Sequence, residues 1–272
     1  MWISRGEVRA LSDGIRKIID GEAVELRDNQ EGEWSILKND IHTLAHLRNE
    51  QMDSLQKERN EMALALVNIS HQIKTPLTSM LIMADLLENA PQEKRTEFLA
   101  NMKAGLVRME WFATALLKIA KLDAGAVEFS AERVAFSELA RLALEPLQIL
   151  LEVKEQRVEV ENDVELYCDK RWTGEALGNL IKNASEASPV GGVIRVESGV
   201  NPVCKWISVT DSGAGIEKSR VYGLFRRFEG SSKGNGVGLP LALAIMRGQG
   251  GDIGVDIGGK GKGAVFTLKL SP

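Results

Sequence analysis

The chain has 272 residues, of which 44% are hydrophobic and 26% charged, and a net charge of −4. That length accommodates two domains and a connector, and the balanced composition excludes a globally disordered chain. The weak negative charge supplies no electrostatic reason to expect a nucleic-acid partner. With no run of 18 or more apolar residues, nothing here is expected to span a bilayer. The opening MWISR is too short and too polar for a signal peptide. Its aromatic and basic residues fit the stub of a transmembrane helix in a longer parent protein. Cys168 and Cys204 have no metal-ligand spacing and read as two thiols in a reducing compartment.

Val8, Leu11, Ile15 and Ile18 repeat at helical spacing, and Gly21 with the polar stretch GEAVELRDNQEGE breaks that helix. A second pattern starts near Trp34 with Leu37, Ile41 and Leu44, and its seam continues through Met62, Leu66, Ile69 and Ile73 without a breaker. One long helix is therefore expected to run into the stretch SHQIKTPL at 70–77. His42 and His46 share a helix face with no third ligand nearby, so they read as a solvated face rather than a metal site. Leu66, Ile69, Ile73 and Leu77 share a stripe expected to be buried. His71 lies roughly 200° around the wheel from Ile69 and is expected to face water. Pro76 removes a backbone donor and is expected to bend the helix. Thr75 lies four residues after His71 on the same face. It either acts with the histidine or merely precedes Pro76.

The segment ENAPQEKR at 88–95 reads as a turn with Pro91 starting the next helix. Phe98, Met102, Leu106, Met109, Ala113, Leu116 and Ala120 then carry a second helix, which KLDAG closes at Gly125. Two helices cannot enclose a core alone, so pairing with a second copy is expected, with His71 on the outside. After residue 126 short strands alternate with helices. Strands are expected at 156–162, 193–198, 206–210 and in the final GAVFTLKL; helices at 136–152, 170–187 and 239–248. The implied fold is an α/β sandwich with a mixed sheet, and it lacks a Walker-type phosphate loop.

Within EALGNLIKNASEAS at 175–188, Glu175, Asn179, Lys182, Asn183 and Glu186 recur on one polar helix face. Carboxamide oxygens suit Mg²⁺, a hard cation that bridges to nucleotide phosphates. Asp211, Ser212, Gly213, Ala214 and Gly215 follow the apolar strand WISVT. A carboxylate at a strand end can accept a hydrogen bond from an exocyclic amine such as adenine's, and would oppose a guanine carbonyl. Gly213 and Gly215 let the backbone approach the base. Gly234, Asn235, Gly236, Val237, Gly238 and Leu239 precede a helix, where backbone amides cradle phosphates.

SHQIKTPL resembles the H box of sensor histidine kinases, and later stretches resemble, in order, the N, G1 and F boxes and a final glycine box of the GHKL ATPase and histidine-kinase superfamily. The resemblance covers about residues 60–270. It implies a phosphoacceptor at His71, with Gln72 where most members carry an acid, and a role for Thr75 in dephosphorylating a partner. It implies Glu175 as an acid assisting catalysis, Asn179 near the phosphates and Asn183 as the Mg²⁺ ligand. Many members carry lysine where this chain has Glu186, which points to Lys182 as the phosphate contact. Leu224–Phe228 resembles the F box, and Arg227 and Lys233 stand in for an arginine that family members place near Gly230. Gly261, Lys262 and Gly263 fit a final glycine box.

Residues 1–60 resemble a HAMP signal-relay module, a generic coiled-coil linker being the alternative. The implied organisation is 1–60 relay helices, 61–125 dimerisation and phosphotransfer hairpin, and 126–272 ATP-binding domain. The implied fold is helical followed by an α/β Bergerat sandwich. The implied activity is ATP-dependent, Mg-dependent autophosphorylation with transfer to a response-regulator aspartate. The implied setting is a homodimer on the cytoplasmic side of a membrane-anchored parent. A non-enzymatic ATP-binding relay and a GHKL ATPase or serine kinase are the rival readings.

Overall fold

The computed structural model describes residues 4–19, 24–26, 32–88, 90–226, 236–258 and 263–270. The chain divides into two compact units, Met1–Val67 and Asn68–Pro272.

In the first unit, α1 spans Arg5–Ile19 and buries Leu11, Gly14 and Ile18. Its start is a reciprocal capping box. The Ser4 amide donates to Glu7 Oε2 at 2.7 Å and the Glu7 amide donates to Ser4 Oγ at 3.2 Å. Leu26 packs onto Gly14, where an added Cβ would lie 2.7 Å from Leu26 Cδ2. Helix α2, Glu33–Glu88, begins in this unit, is continuous for 56 residues and carries Pro76 in the part that belongs to the second unit. The expected long helix into 70–77 is present. His42 and His46 pair with Glu25 and Glu50 at 3.5 and 3.4 Å.

In the second unit, Pro91 caps α3, Gln92–Asp123. The helix closes through a left-handed Gly125 (φ +62°), with the Ala126 amide donating to the Lys121 carbonyl at 2.9 Å. The apolar residues around His71 are not buried: Ile73 is 37% and Leu77 44% exposed. A two-helix hairpin has no second layer to cover that stripe, so the expected burial needs a partner surface. On α3 the buried residues are Phe112, Ala115 and Ile119 rather than the expected stripe, whose Ala113 and Ala120 are exposed.

Strand β1 (Ala131–Ala135) leads into α4 (Phe136–Leu144) and α5 (Gln148–Val153). The single helix expected over 136–152 is split by a 3-10 turn at Glu145–Leu147, where Pro146 lacks the amide an α-helix requires. Next come β2 (Arg157–Glu161), β3 (Glu165–Asp169), α6 (Lys170–Ala187), β4 (Val193–Val200), β5 (Lys205–Thr210), α7 (Gly238–Gly248), β6 (Asp252–Asp256) and β7 (Val265–Leu270). Strands β1 and β3 form a separate antiparallel pair, and the main sheet runs β2-β4-β5-β7-β6. It is mixed: β2 and β4 are parallel and the other neighbours antiparallel. Alternation puts Ile194, Val196, Ile207, Val209, Phe266 and Leu268 on the face beneath α6 and α7; α4 packs on α6, and Leu139, Leu177, Leu180, Leu241 and Ile245 complete the core. Each such side chain contributes about 1.5–3 kcal/mol by leaving water.

Candidate nucleotide and phosphoacceptor sites

Helix α6 is fixed at both ends. Asp169 caps it by accepting from the Arg171 and Trp172 amides, both at 3.0 Å. At the other end Ser185 Oγ donates to Gln156 Oε1 at 2.6 Å, while Gln156 Nε2 donates to the Ser185 carbonyl at 3.0 Å. Lys154 Nζ donates to the same carbonyl at 2.6 Å. Leu177, Leu180, Ile181 and Ala184 face the core. The helical period therefore leaves Glu175, Asn179, Lys182 and Asn183 half-buried along the other side, as their spacing predicts. Asn179 Nδ2 donates to the Glu175 carbonyl at 3.0 Å, which turns its oxygen outward toward Gly238 at the start of α7. A Cβ on Gly238 would sit 3.1 Å from Asn179 Oδ1, so the glycine keeps this corner open. Glu186 is exposed.

Asp211 continues the inward series Ile207, Val209 at the end of β5 and is buried. Gly213 donates its amide to Asp211 Oδ1 at 2.8 Å, and Ala264 donates to Oδ2 at 3.2 Å. Burial raises the Asp211 pKa above its ordinary value of 3.8, and the two amides partly offset that rise. The carboxylate keeps lone pairs free to accept from a base amine. The backbone around it is crowded: a Cβ on Gly213 would lie 2.6 Å from the Ala187 carbonyl oxygen, and one on Gly263 only 1.7 Å from the Asp211 oxygen. The Ser212 amide donates to Ser188 Oγ at 3.1 Å, which ties this loop to the end of α6. Gly215 and Gly236 adopt φ of +79° and +63°, conformations that side chains disfavour.

Expected residues Glu175, Asn179, Lys182, Asn183, Asp211, Gly213 and Gly238 thus gather around α6, the end of β5 and the start of α7. Leu239 follows on α7. Arg227, Lys233 and Gly234, with Gly261 and Lys262 of the final glycine box, lie outside the described residues. The half-buried side of α6 carries amide oxygens, hard donors of the kind Mg²⁺ takes, and Asp211 is a buried hydrogen-bond acceptor. On α2, His71 is exposed as expected. Thr75 shares its face, and its hydroxyl donates to the His71 carbonyl at 3.1 Å. Gln72 is half-buried beside them.

Sequence reasoning missed a set of residues that join α3 to α6 and α7. Lys118 Nζ lies 2.6 Å from Glu175 Oε1, and Lys182 Nζ lies 4.4 Å from the centre of the Trp111 ring. Phe129 packs edge-on to Trp172 at 6.0 Å. A Cβ on Gly248 would lie 2.7 Å from Phe129 Cε2 and 3.7 Å from Leu122 Cδ2. The available signal was the second apolar stripe on α3, Phe112, Ala115 and Ile119.

The family model described as "His Kinase A (phospho-acceptor) domain" matches residues 62–125. That described as "Histidine kinase-, DNA gyrase B-, and HSP90-like ATPase" matches residues 168–272. The chain is 30% identical over 236 residues to the sensor histidine kinase WalK of Bacillus subtilis; the match covers 80% of this chain and 38% of that protein. The chain thus spans well under half the length of this relative. Among solved structures, full-length ShkA in complex with AMPPNP matches with TM-score 0.57 and 26% identity, covering 76% of this chain and 46% of that one. Histidine kinase ThkA in complex with response regulator protein TrrA matches in fold with TM-score 0.65 at 19% identity, covering 82% and 66%. An exposed histidine on a helical hairpin, a polar nucleotide helix over a mixed sheet and both family models agree, and the chain belongs to the two-component sensor histidine kinases.

Proposed function

We propose that this chain autophosphorylates His71 from Mg·ATP and passes the phosphoryl group to an aspartate of a response regulator. The observation that carries this reading is the polar side of α6, where Asn179 and Asn183 lie half-buried and Asn179 Oδ1 faces Gly238 at the start of α7, in a chain that also presents His71 to solvent. A neutral imidazole nitrogen attacks the γ-phosphorus; the N–P bond forms, the bond to the β,γ-bridging oxygen breaks and ADP leaves. Gln72 orients the ring through its amide oxygen, and the imidazole proton departs to water or phosphate. Asp211 selects adenine, Lys182 meets phosphate oxygens, and Asn183 with Asn179 nearby holds Mg²⁺. When bound, that ion neutralises charge on the phosphates. Glu175 assists as an acid.

The remaining assignments follow from the same reading. Residues 1–60 act as relay helices, 61–125 as dimerisation and phosphotransfer hairpin and 126–272 as ATP-binding domain. The apolar stripe of Ile73, Leu77, Leu81 and Leu106 is covered by a second copy. Thr75 and His71, on one helix face, serve the reverse reaction by orienting water at a docked aspartyl phosphate. The chain works on the cytoplasmic side of a membrane-anchored parent; no described helix is long and apolar enough to cross a membrane.

Incubation with γ-labelled ATP tests the central step. Acid-labile label that is retained by the natural chain and absent from His71→Gln is expected. A chain that binds ATP but retains no label is a conformational relay, and acid-stable label marks a serine kinase.

A further inference from the structure

Trp111 and Lys118 are seven positions apart on α3, and Glu175 and Lys182 are seven apart on α6. Seven residues are close to two helical turns, so each pair forms one stripe. The stripes meet in antiparallel sense. Lys182 Nζ sits 4.4 Å over the Trp111 ring. Two turns along, Lys118 Nζ bonds Glu175 Oε1 at 2.6 Å and lies 5.9 Å from the centre of the Trp172 ring. Phe112, Ala115 and Ile119 are buried on the same helix, which packs on α7. Asn179 falls on α6 between the two crossing points. The hairpin thus holds both charged ends of the nucleotide helix face.

We infer that Trp111 and Lys118 are positioning residues for the nucleotide site, and that a nucleotide triphosphate competes with Trp111 for the Lys182 ammonium. The inference rests on reading α6 as the nucleotide helix. One ammonium cannot lie against the indole face and also donate to phosphate oxygens at full strength. Docking of α3 therefore weakens phosphate binding, and phosphate binding by the same factor loosens the docked hairpin. The Lys118–Glu175 pair, with side chains 35% and 31% exposed, is screened by water and is a reversible hold. The coupling acts only through phosphate. Adenosine engages Asp211, carries nothing for Lys182 and is blind to Trp111.

The test uses the full chain and measures affinities for Mg·AMPPNP and for adenosine. Trp111→Leu is expected to tighten AMPPNP binding by about two- to five-fold, the range of an exposed cation–π contact. Adenosine affinity should not change. Trp111→Phe keeps an aromatic face and should stay near the natural chain, and in a Lys182→Met background Trp111→Leu should do nothing further. Adenosine binding also reports folding. If the leucine variant loses it, Trp111→Gln repeats the measurement. Unchanged or weaker AMPPNP binding in the folded Trp111 variant, or an equal shift for adenosine, overturns the clasp. A natural chain that binds no AMPPNP overturns the nucleotide reading itself.

Discussion

Gly263→Ala is expected to damage the adenine site from outside it. The new Cβ would lie 1.7 Å from the Asp211 carbonyl oxygen and 2.5 Å from its Oδ1, with backbone rather than a flexible side chain in the way. The start of β7 must therefore move off the end of β5 by more than an ångström. Two hydrogen bonds span that gap: Asp211 N to Ala264 O at 3.1 Å, and Ala264 N to Asp211 Oδ2 at 3.2 Å. The first is worth about 1 kcal/mol, and the second, made to a charged group, about 2 kcal/mol. A loss of about 3 kcal/mol should lower the melting temperature by roughly 10 °C for a unit of this size. Adenosine affinity should fall at least about ten-fold, because the carboxylate loses a fixed donor and its direction. Gly254→Ala on neighbouring β6 is the control. Its Cβ would press on the flexible end of Lys269, at 3.1 Å, and otherwise meet Thr267 Cβ at an ordinary 4.0 Å. Thermal melting and adenosine calorimetry on both variants decide the matter. A Gly263→Ala protein that melts with the control and binds adenosine normally refutes the reasoning.

Adenosine binding should weaken as pH falls through the raised Asp211 pKa, since the protonated acid no longer presents a carboxylate to the amine. Stability moves the other way: a raised folded pKa contributes stability present below the unfolded value of 3.8 and lost as pH rises through the folded value. A pH profile of adenosine affinity that is identical in Asp211→Asn removes the carboxylate from the base contact. Asn183→Ala should greatly lower Mg·ATP affinity without moving the melting temperature, because its side chain is half-exposed; unchanged affinity at millimolar Mg²⁺ takes it out of the site. Gln72→Glu should speed single-turnover phosphorylation of His71 by about ten-fold if one charge-assisted hydrogen bond adds about 1.4 kcal/mol in the transition state. An equal or slower rate would show that the amide serves another contact.

The amphipathic helices and the polar face of α6 were legible because the helical period sorts their residues unambiguously. Helix α3 was not, since it carries two apolar stripes. Periodicity found Met102, Leu106 and Met109, and could not say that Phe112, Ala115 and Ile119 are the buried residues of a helix that packs on α7. Strands β1 and β3, AERVA and ELYCD, escaped notice because only Val134 is buried in the first, and because they pair with each other outside the main sheet. Strand β6, DIGVD, is short and interrupted by a glycine. The break in 136–152 was visible in Pro146 and was overridden by the apolar pattern around it. Asp211 was legible as a strand-end carboxylate. Its clamp by Gly213 and Ala264 was not, since Ala264 reaches it only through the pairing of β5 with β7.

If a second copy covers the exposed stripe of Ile73, Leu77, Leu81 and Leu106, the hairpin's stability becomes a matter of mass action. In the proposed pairing, unfolding releases two chains from one folded species, so the midpoint of the helical transition should climb with protein concentration. Dilution then favours chains whose apolar stripe is open to water. The number of copies in the cell, as well as the signal, would help set how many hairpins are intact.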